Sequence, residues 1–255
     1  MSMTRINKIE VEFAEHIGMR PYMEDRMIIE PNILNGWSLF AVCDGHGGNY
    51  VSDFLKFHFK DILVERMSEN QNVAIAIDET FAKIAQLLSL ENATFQGSTI
   101  CALLINGNRI ISINTGDSRA VMGFKDSFID LTIDHKPHDL SEEQRIVKAG
   151  GFVTRREQDV PRVNGQLAVS RSVGDFYLFP YVISNPEIKV FDFAMFEECY
   201  IAIATDGIFD VWSTPDLIKV LSAGFKSTDI IALSAQKGST DNMSIIILHK
   251  TIETK

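Results

Sequence analysis

The stretch Trp37-Ser38-Leu39-Phe40-Ala41-Val42-Cys43-Asp44-Gly45-His46-Gly47-Gly48-Asn49 decides how the rest of the chain is read. Its first seven residues form a short apolar run with aromatic and β-branched members, which predicts a buried strand. Asp44 closes that strand, and three glycines within the next four residues let the backbone turn sharply and approach something closely. From Asn49 onward a helical period sets in, with Val51, Phe54, Leu55, His58 and Ile62 on one face. A carboxylate and an imidazole thus sit on a glycine-bent loop between a strand and a helix. Chemistry is often placed there, although Asp-Gly is also an ordinary turn.

Working outward, residues 8–16 alternate as a strand and Met23 to Glu30 form another. If the chain between them is extended, Arg20 and Glu24 point to one face, because side chains alternate along a strand. A second helix around 72–90 carries Val73, Ile77, Phe81, Ile84 and Leu88 as its stripe. Ser98 to Ile105 and Arg109 to Asn114 flank Asn106-Gly107-Asn108 and predict a hairpin. Arg119 to Phe124 adds a strand. Ser141 with Gln144 reads as a capping box for a helix over 142–149, stopped by Gly150-Gly151. The stretch 152–187 shows little periodicity and predicts long loops with short strands. Strands at 188–193, 198–205 and 243–249 follow, with helices at 214–222, capped by Thr214 before Pro215, and at 229–236. No repeat or flexible linker interrupts the pattern. The expectation is one α+β domain over 1–255, built as a central sandwich of two mostly antiparallel sheets with helices on both outer faces.

At 255 residues, 45% hydrophobic and 23% charged, the composition is that of a globular protein with a proper core. A net charge of -10 argues against a broad nucleic-acid or anionic-lipid surface. No apolar run reaches the ~20 residues of a membrane span, and the N-terminal residues lack the apolar core of a signal peptide. A cytoplasmic or nuclear protein without membrane or nucleic-acid partners is expected. The three cysteines, Cys43, Cys101 and Cys199, lie in apolar runs without zinc spacing and read as buried small hydrophobes. Asn49 stands six residues after Cys43, where a cysteine-based phosphatase loop needs arginine.

Four aspartates stand at strand ends or at turns leading into strands: Asp44, Asp117, Asp206 and Asp241; Glu24 and Asp25 join them. Carboxylates gathered in one place repel and protonate unless a cation compensates. A hard divalent ion with oxygen ligands, magnesium or manganese, suits such a set. Two such ions would activate a water and clamp the oxygens of an in-line displacement. Arg20 then reads as a bidentate partner for a phosphate and His46 as a proton donor to a departing alkoxide. Taken singly, each residue has an ordinary reading as a turn, a cap or a solvated side chain, and spacing alone does not bring the aspartates together.

The ordered blocks RPYMED (20–25), DGHGG (44–48), GST (97–99), TGDSR (115–119), DHKP (134–137), RVNGQLAVSRSVGDF (162–176), ATDGIFDV (204–211) and TDNMS (240–244) closely resemble those of the metal-dependent, type 2C serine/threonine protein phosphatases. The resemblance implies the same sandwich fold, phosphorylated protein substrates, and hydrolysis by direct attack of metal-activated water on phosphoserine or phosphothreonine. It implies two Mg2+ or Mn2+ ions bridged by Asp44. Asp206 and Asp241 complete the first shell of one ion, while the Gly45 carbonyl and, through water, Glu24 serve the other. Asp25 is implied as a partner of these ligands, Arg20 as the phosphate-binding arginine and His46 as the general acid. Asp117, Asp206 and Asp210 match a weaker third metal position. A monomer is expected, with a flap-like region at about 138–172 whose Arg155, Arg156 and Arg162 read first as solvated. Thr240 departs from the basic residue many relatives have before Asp-Asn, and the chain ends soon after its last strand, without the helical C-terminal extension of some members. The rival readings are a binding protein that keeps the fold without catalysis, and a metal-dependent nuclease or small-molecule phosphoesterase.

Overall fold

The computed structural model describes residues 5–90, 94–125, 127–157 and 159–254. β1 (Arg5–His16) and β2 (Arg26–Leu34) precede β3 (Trp37–Cys43), which continues past Asp44 into the short β4 (Gly45–His46). Two helices follow, α1 (Tyr50–Glu69) and α2 (Val73–Leu90). The β-rich block comprises β5 (Gly97–Ser98), β6 (Ile100–Asn106), β7 (Arg109–Thr115), β8 (Arg119–Phe124) and β9 (Ser127–Asp130). The less regular stretch holds α3 (Leu140–Lys148), β10 (Val153–Thr154), β11 (Arg162–Val163) and β12 (Val173–Gly174). The chain closes with β13 (Glu187–Asp192), β14 (Cys199–Ala204), α4 (Asp206–Phe209), α5 (Thr214–Ser222), α6 (Ser227–Gln236) and β15 (Met243–Thr254).

Two five-stranded antiparallel sheets, in the orders β2-β3-β6-β7-β13 and β1-β15-β14-β8-β9, form the sandwich. The period of two along each strand assigns every side chain to a layer. Phe40 and Val42 of β3 face inward, with Cys101 and Leu103 of β6, against Ile201 and Ile203 of β14 and Ile246 and Leu248 of β15. The alternate residues Leu39, Ala41 and Cys43 face outward into a core closed by α1 and α2. On the other side Ala202, Ala204, Ile245 and Ile247 face α5 and α6. β3 is therefore apolar along its length because both of its faces are covered. The α+β sandwich with helices on both outer faces is the architecture expected. The three cysteines are free and buried.

Local readings shift in three places. The buried face of α1 continues with Phe59 and Leu63, while His58 is exposed and Ile62 half-buried. Phe59 instead meets Phe81 of α2 edge-on at 5.8 Å. Ser141 lies inside α3 and makes no capping box; Asp139 holds the N-cap position, with its carboxylate accepting from the Lys136 backbone N–H at 3.1 Å. Ser213, not Thr214, caps α5, its Oγ accepting from the Asp216 N–H at 3.3 Å. Beside α3, Ile146, Val163, Leu178 and Val182 form a small separate core.

Candidate active site

The antiparallel registers gather one set of strand ends. Arg26 at the start of β2 pairs with Cys43 at the end of β3, Val42 pairs with Cys101, and Ile100 with Thr115. In the other sheet Ala204, the last residue of β14, pairs with Arg119 and with Ile245, and His16 pairs with Met243. The residues just beyond these ends are Asp25, Asp44, Asp117, Asp206 and Asp241. Pairing register, which no local spacing encodes, places carboxylates far apart in sequence at one end of the sandwich.

Asp44 is fixed by its backbone. Its N–H donates to Thr99 Oγ1 at 3.1 Å, and the Thr99 N–H donates to the Asp44 carbonyl at 2.9 Å. The next position admits only glycine, since a Cβ on Gly45 would stand 2.5 Å from the Glu24 carbonyl oxygen and 2.7 Å from Ser52 Oγ. Asp44 and Asp206 share a side-chain hydrogen bond. Desolvation, then the charges of Asp206, Asp25 and Asp117, push the Asp44 carboxyl well above its ordinary range. Asp206 is raised to about 8, first by burial and then by Asp117 and Asp210. Burial also raises Asp25, to about 7, against the opposing hydrogen bond from Thr205. One Asp25 oxygen accepts from Thr205 Oγ1 at 3.0 Å, and the other is buried without a hydrogen-bond partner. Asp210 shifts upward by desolvation.

Arg20 reaches the site differently from the expectation. Residues 17–25 are turns and irregular chain, so Arg20 and Glu24 do not share a strand face. Asn242 staples this segment: its Oδ1 accepts from the Glu24 N–H at 2.7 Å, and its Nδ2 donates to the Ile17 and Tyr22 carbonyls at 2.8 and 3.0 Å. Arg20 then donates from Nη2 to Asp241 Oδ2 at 2.6 Å. Gly18, at φ +65°, lets the turn lie against the Asp241 carbonyl.

His46 sits opposite Asp175, Nε2 to Oδ2 at 2.6 Å. Desolvation works to lower its pKa, but the Asp175 carboxylate outweighs it and the net direction is upward. Lys136 is ion-paired to Asp117. Burial works against that ammonium, and Asp117, Asp206 and Asp210 together hold it charged. Asp175, Lys136 and Asn242 were not singled out from the sequence, although all three lie inside the blocks 162–176, 134–137 and 240–244. Of the arginines between 138 and 172, Arg155 forks onto Glu143 at 2.8 and 2.6 Å and Arg162 meets Asp159 at 3.3 Å, both as exposed pairs.

Among the described residues no three His, Cys, Asp or Glu side chains form a ready-made cation cage. Asp241 is turned to Arg20 and Asp117 to Lys136. The donor chemistry nevertheless fits hard divalent ions: all the side-chain donors are carboxylates, and their pKa values are raised first by burial and then by one another.

The sequence profile described as Protein phosphatase 2C matches residues 9–245. A protein of Oryza sativa subsp. japonica named Probable protein phosphatase 2C 55 is 36% identical over 256 residues, covering 94% of this chain and 66% of the relative, just under two thirds of its length. Probable protein phosphatase 2C 6 of Paramecium tetraurelia is 31% identical, covering 92% of this chain and 86% of that protein. Among solved structures, a C. elegans sex determining protein superposes with a TM-score of 0.87 at 25% identity, over 94% of this chain and 64% of that one. A serine-threonine phosphatase 2C from Toxoplasma gondii shares the fold, with a TM-score of 0.81 at 20% identity over 97% and 99% of the two chains.

Proposed function

The chain belongs to the protein phosphatase 2C family, and from that premise we propose that it is a metal-dependent serine/threonine protein phosphatase, one catalytic domain over 1–255 with a flap at about 138–172. The observation that carries the reading is the set of buried carboxylates at one end of the sandwich, raised by desolvation and by one another, with Arg20 and His46 beside them.

Asp44, Asp206, Asp241 and the Gly45 carbonyl would hold two Mg2+ or Mn2+ ions, with Glu24 acting through water and Asp25 supporting the ligands. Asp117, Asp206 and Asp210 would form a weaker third position. When bound, such ions supply Lewis-acid activation of water and neutralise charge on the phosphate oxygens. Arg20 exchanges the Asp241 carboxylate for two phosphate oxygens, a match for its planar fork. The water oxygen bonds to phosphorus as the bond to the seryl or threonyl oxygen breaks, without a phosphoenzyme. His46 gives the departing oxygen its proton. The products are inorganic phosphate and the free hydroxyl.

The substrates proposed are phosphorylated proteins, met by a cytoplasmic or nuclear monomer without nucleic-acid or membrane partners. No helix among the described residues is long and apolar enough to cross a membrane. The net charge of -10 works against nucleic acid. Phosphate release from phosphoseryl and phosphothreonyl peptides by the purified chain with manganese tests the reading. Release that a chelator abolishes is expected; cleavage of single-stranded DNA with no phosphate from peptides would make the protein a nuclease.

A further inference from the structure

We infer that Asp175 is the positioning residue of His46, fixing which imidazole nitrogen faces the substrate. The inference rests on the phosphatase reading and deepens it. A three-stranded sheet in the order β12-β5-β4 places the two residues: Gly174 pairs with Gly97, and Gly97 with His46. Asp175 follows immediately. The two side chains meet across the face of the middle strand only because position 97 is glycine, where a Cβ would stand 2.5 Å from His46 Nε2 and collide with the Asp175 carboxylate.

Asp175 itself is 1% exposed and adopts φ 47°, ψ 38°, a left-handed conformation uncommon for a non-glycine residue. Its backbone N–H donates to the Gln96 carbonyl at 2.9 Å, which locks that conformation. The short 3-10 turn over Phe176–Leu178 begins next, yet the Asp175 side chain does not cap it. Instead Oδ2 accepts from Ser172 Oγ at 2.5 Å and meets His46 Nε2 at 2.6 Å, while Oδ1 is buried without a hydrogen-bond partner. Burying a carboxylate is costly, and helix capping does not account for it here. The imidazole does: an acceptor on Nε2–H sets the ring plane and leaves Nδ1 as the nitrogen that passes a proton onward. Ser172 fixes the carboxylate in turn.

The experiment uses the full chain with manganese and two substrates, a phosphothreonyl peptide and nitrophenyl phosphate, whose leaving group needs no proton. Asp175→Ala is expected to lower kcat on the peptide by about 100-fold, in the range of a lost general acid, with KM nearly unchanged and little loss on nitrophenyl phosphate. In a His46→Ala background the same change should cost less than about 3-fold, because the two residues act as a unit. Equal losses on both substrates, or losses that multiply in the double variant, would overturn the assignment. Should Asp175→Ala not fold, Asp175→Asn keeps the shape and should show a smaller loss with the same dependence on leaving group. Independently of turnover, 15N–1H correlations of the His46 ring, identified by their absence in His46→Ala, should show the proton on Nε2; a proton on Nδ1 alone would refute the contact. Wild-type protein inactive on every phosphopeptide would sink the phosphatase reading, and the ring correlations would still decide whether Asp175 orients His46.

Discussion

Two regions of this molecule bury carboxylates and treat them in opposite ways. On α3, Glu142 is 3% exposed and lies between two guanidinium groups. Arg171 donates to it from Nη2 at 2.6 Å and Arg145 at 2.9 Å, and both arginines also hold backbone carbonyls, of Ser170, Tyr181 and Asn185. Burial pushes the Glu142 pKa up, but the arginines outweigh it and hold it down at about 2. At the acidic end of the sandwich Asp44, Asp206 and Asp25 are pushed up instead, by burial and by one another. The cations there, Arg20 and Lys136, pair with Asp241 and Asp117 and leave Asp44 and Asp206 to share a hydrogen bond. Where the chain supplies its own cations, the buried charge fixes structure. Where it withholds them, burial and the neighbouring carboxylates hold the acidic pKa values up.

The largest test of that contrast is at the acidic end. Asp44→Asn and Asp206→Asn should each lower turnover of a phosphopeptide more than about 100-fold. Their metal-free melting temperatures should hold or rise, since each change relieves repulsion. A fall in metal-free stability would erase the difference between the two regions. Next is Glu142→Ala, which strands two guanidinium groups and should cost about 3 kcal/mol in urea denaturation, the low end for a broken buried pair. An unchanged midpoint would show that the flap is held by its small core alone.

Acid should move the two regions oppositely. Glu142 contributes its full stability above its ordinary value of 4.5 and loses it as pH falls from there to about 2. His135, kept neutral by burial and by Arg171 with its pKa lowered from 6.5 to about 4, contributes stability that starts to drain below 6.5. The raised Asp206 runs the other way: its stabilising share is complete below 3.8 and lost as pH rises through about 8. Hydrogen exchange on metal-free protein should therefore show flap amides opening on acidification while those of β3 and β14 do not; joint opening would contradict this. The smallest effect concerns Lys136→Met. It removes the ammonium beside Asp117, so added manganese should raise its melting temperature more than that of wild type, by about 2 °C in excess. Equal gains would mean that Lys136 does not offset that charge.

Much of the sandwich was legible because strand alternation and helix period are local: Leu39 and Phe40 face opposite layers as period two requires. The ends of helices were less so. Asp139 and Ser213 hold the caps expected of Ser141 and Thr214, because neighbouring backbone and buried clusters choose among adjacent hydroxyls and carboxylates. Arg20 reached the site through a turn stapled by Asn242 rather than along a strand, a contact between residues more than 200 positions apart. Asp175 and Lys136 lay in conspicuous blocks and Glu142 lay between two of them, but what each touches depends on chain returning from elsewhere.

What the sequence determined by itself was the kind of parts: apolar runs with two-fold or helical period, and aspartates and glycines at strand ends. Those follow from side-chain chemistry acting over a few bonds. Only the tertiary structure decided which carboxylates would meet each other and which would meet arginine. That choice depends on antiparallel register and on where a missing Cβ, at Gly45 and Gly97, lets distant backbone pass, and neither is encoded within any short stretch.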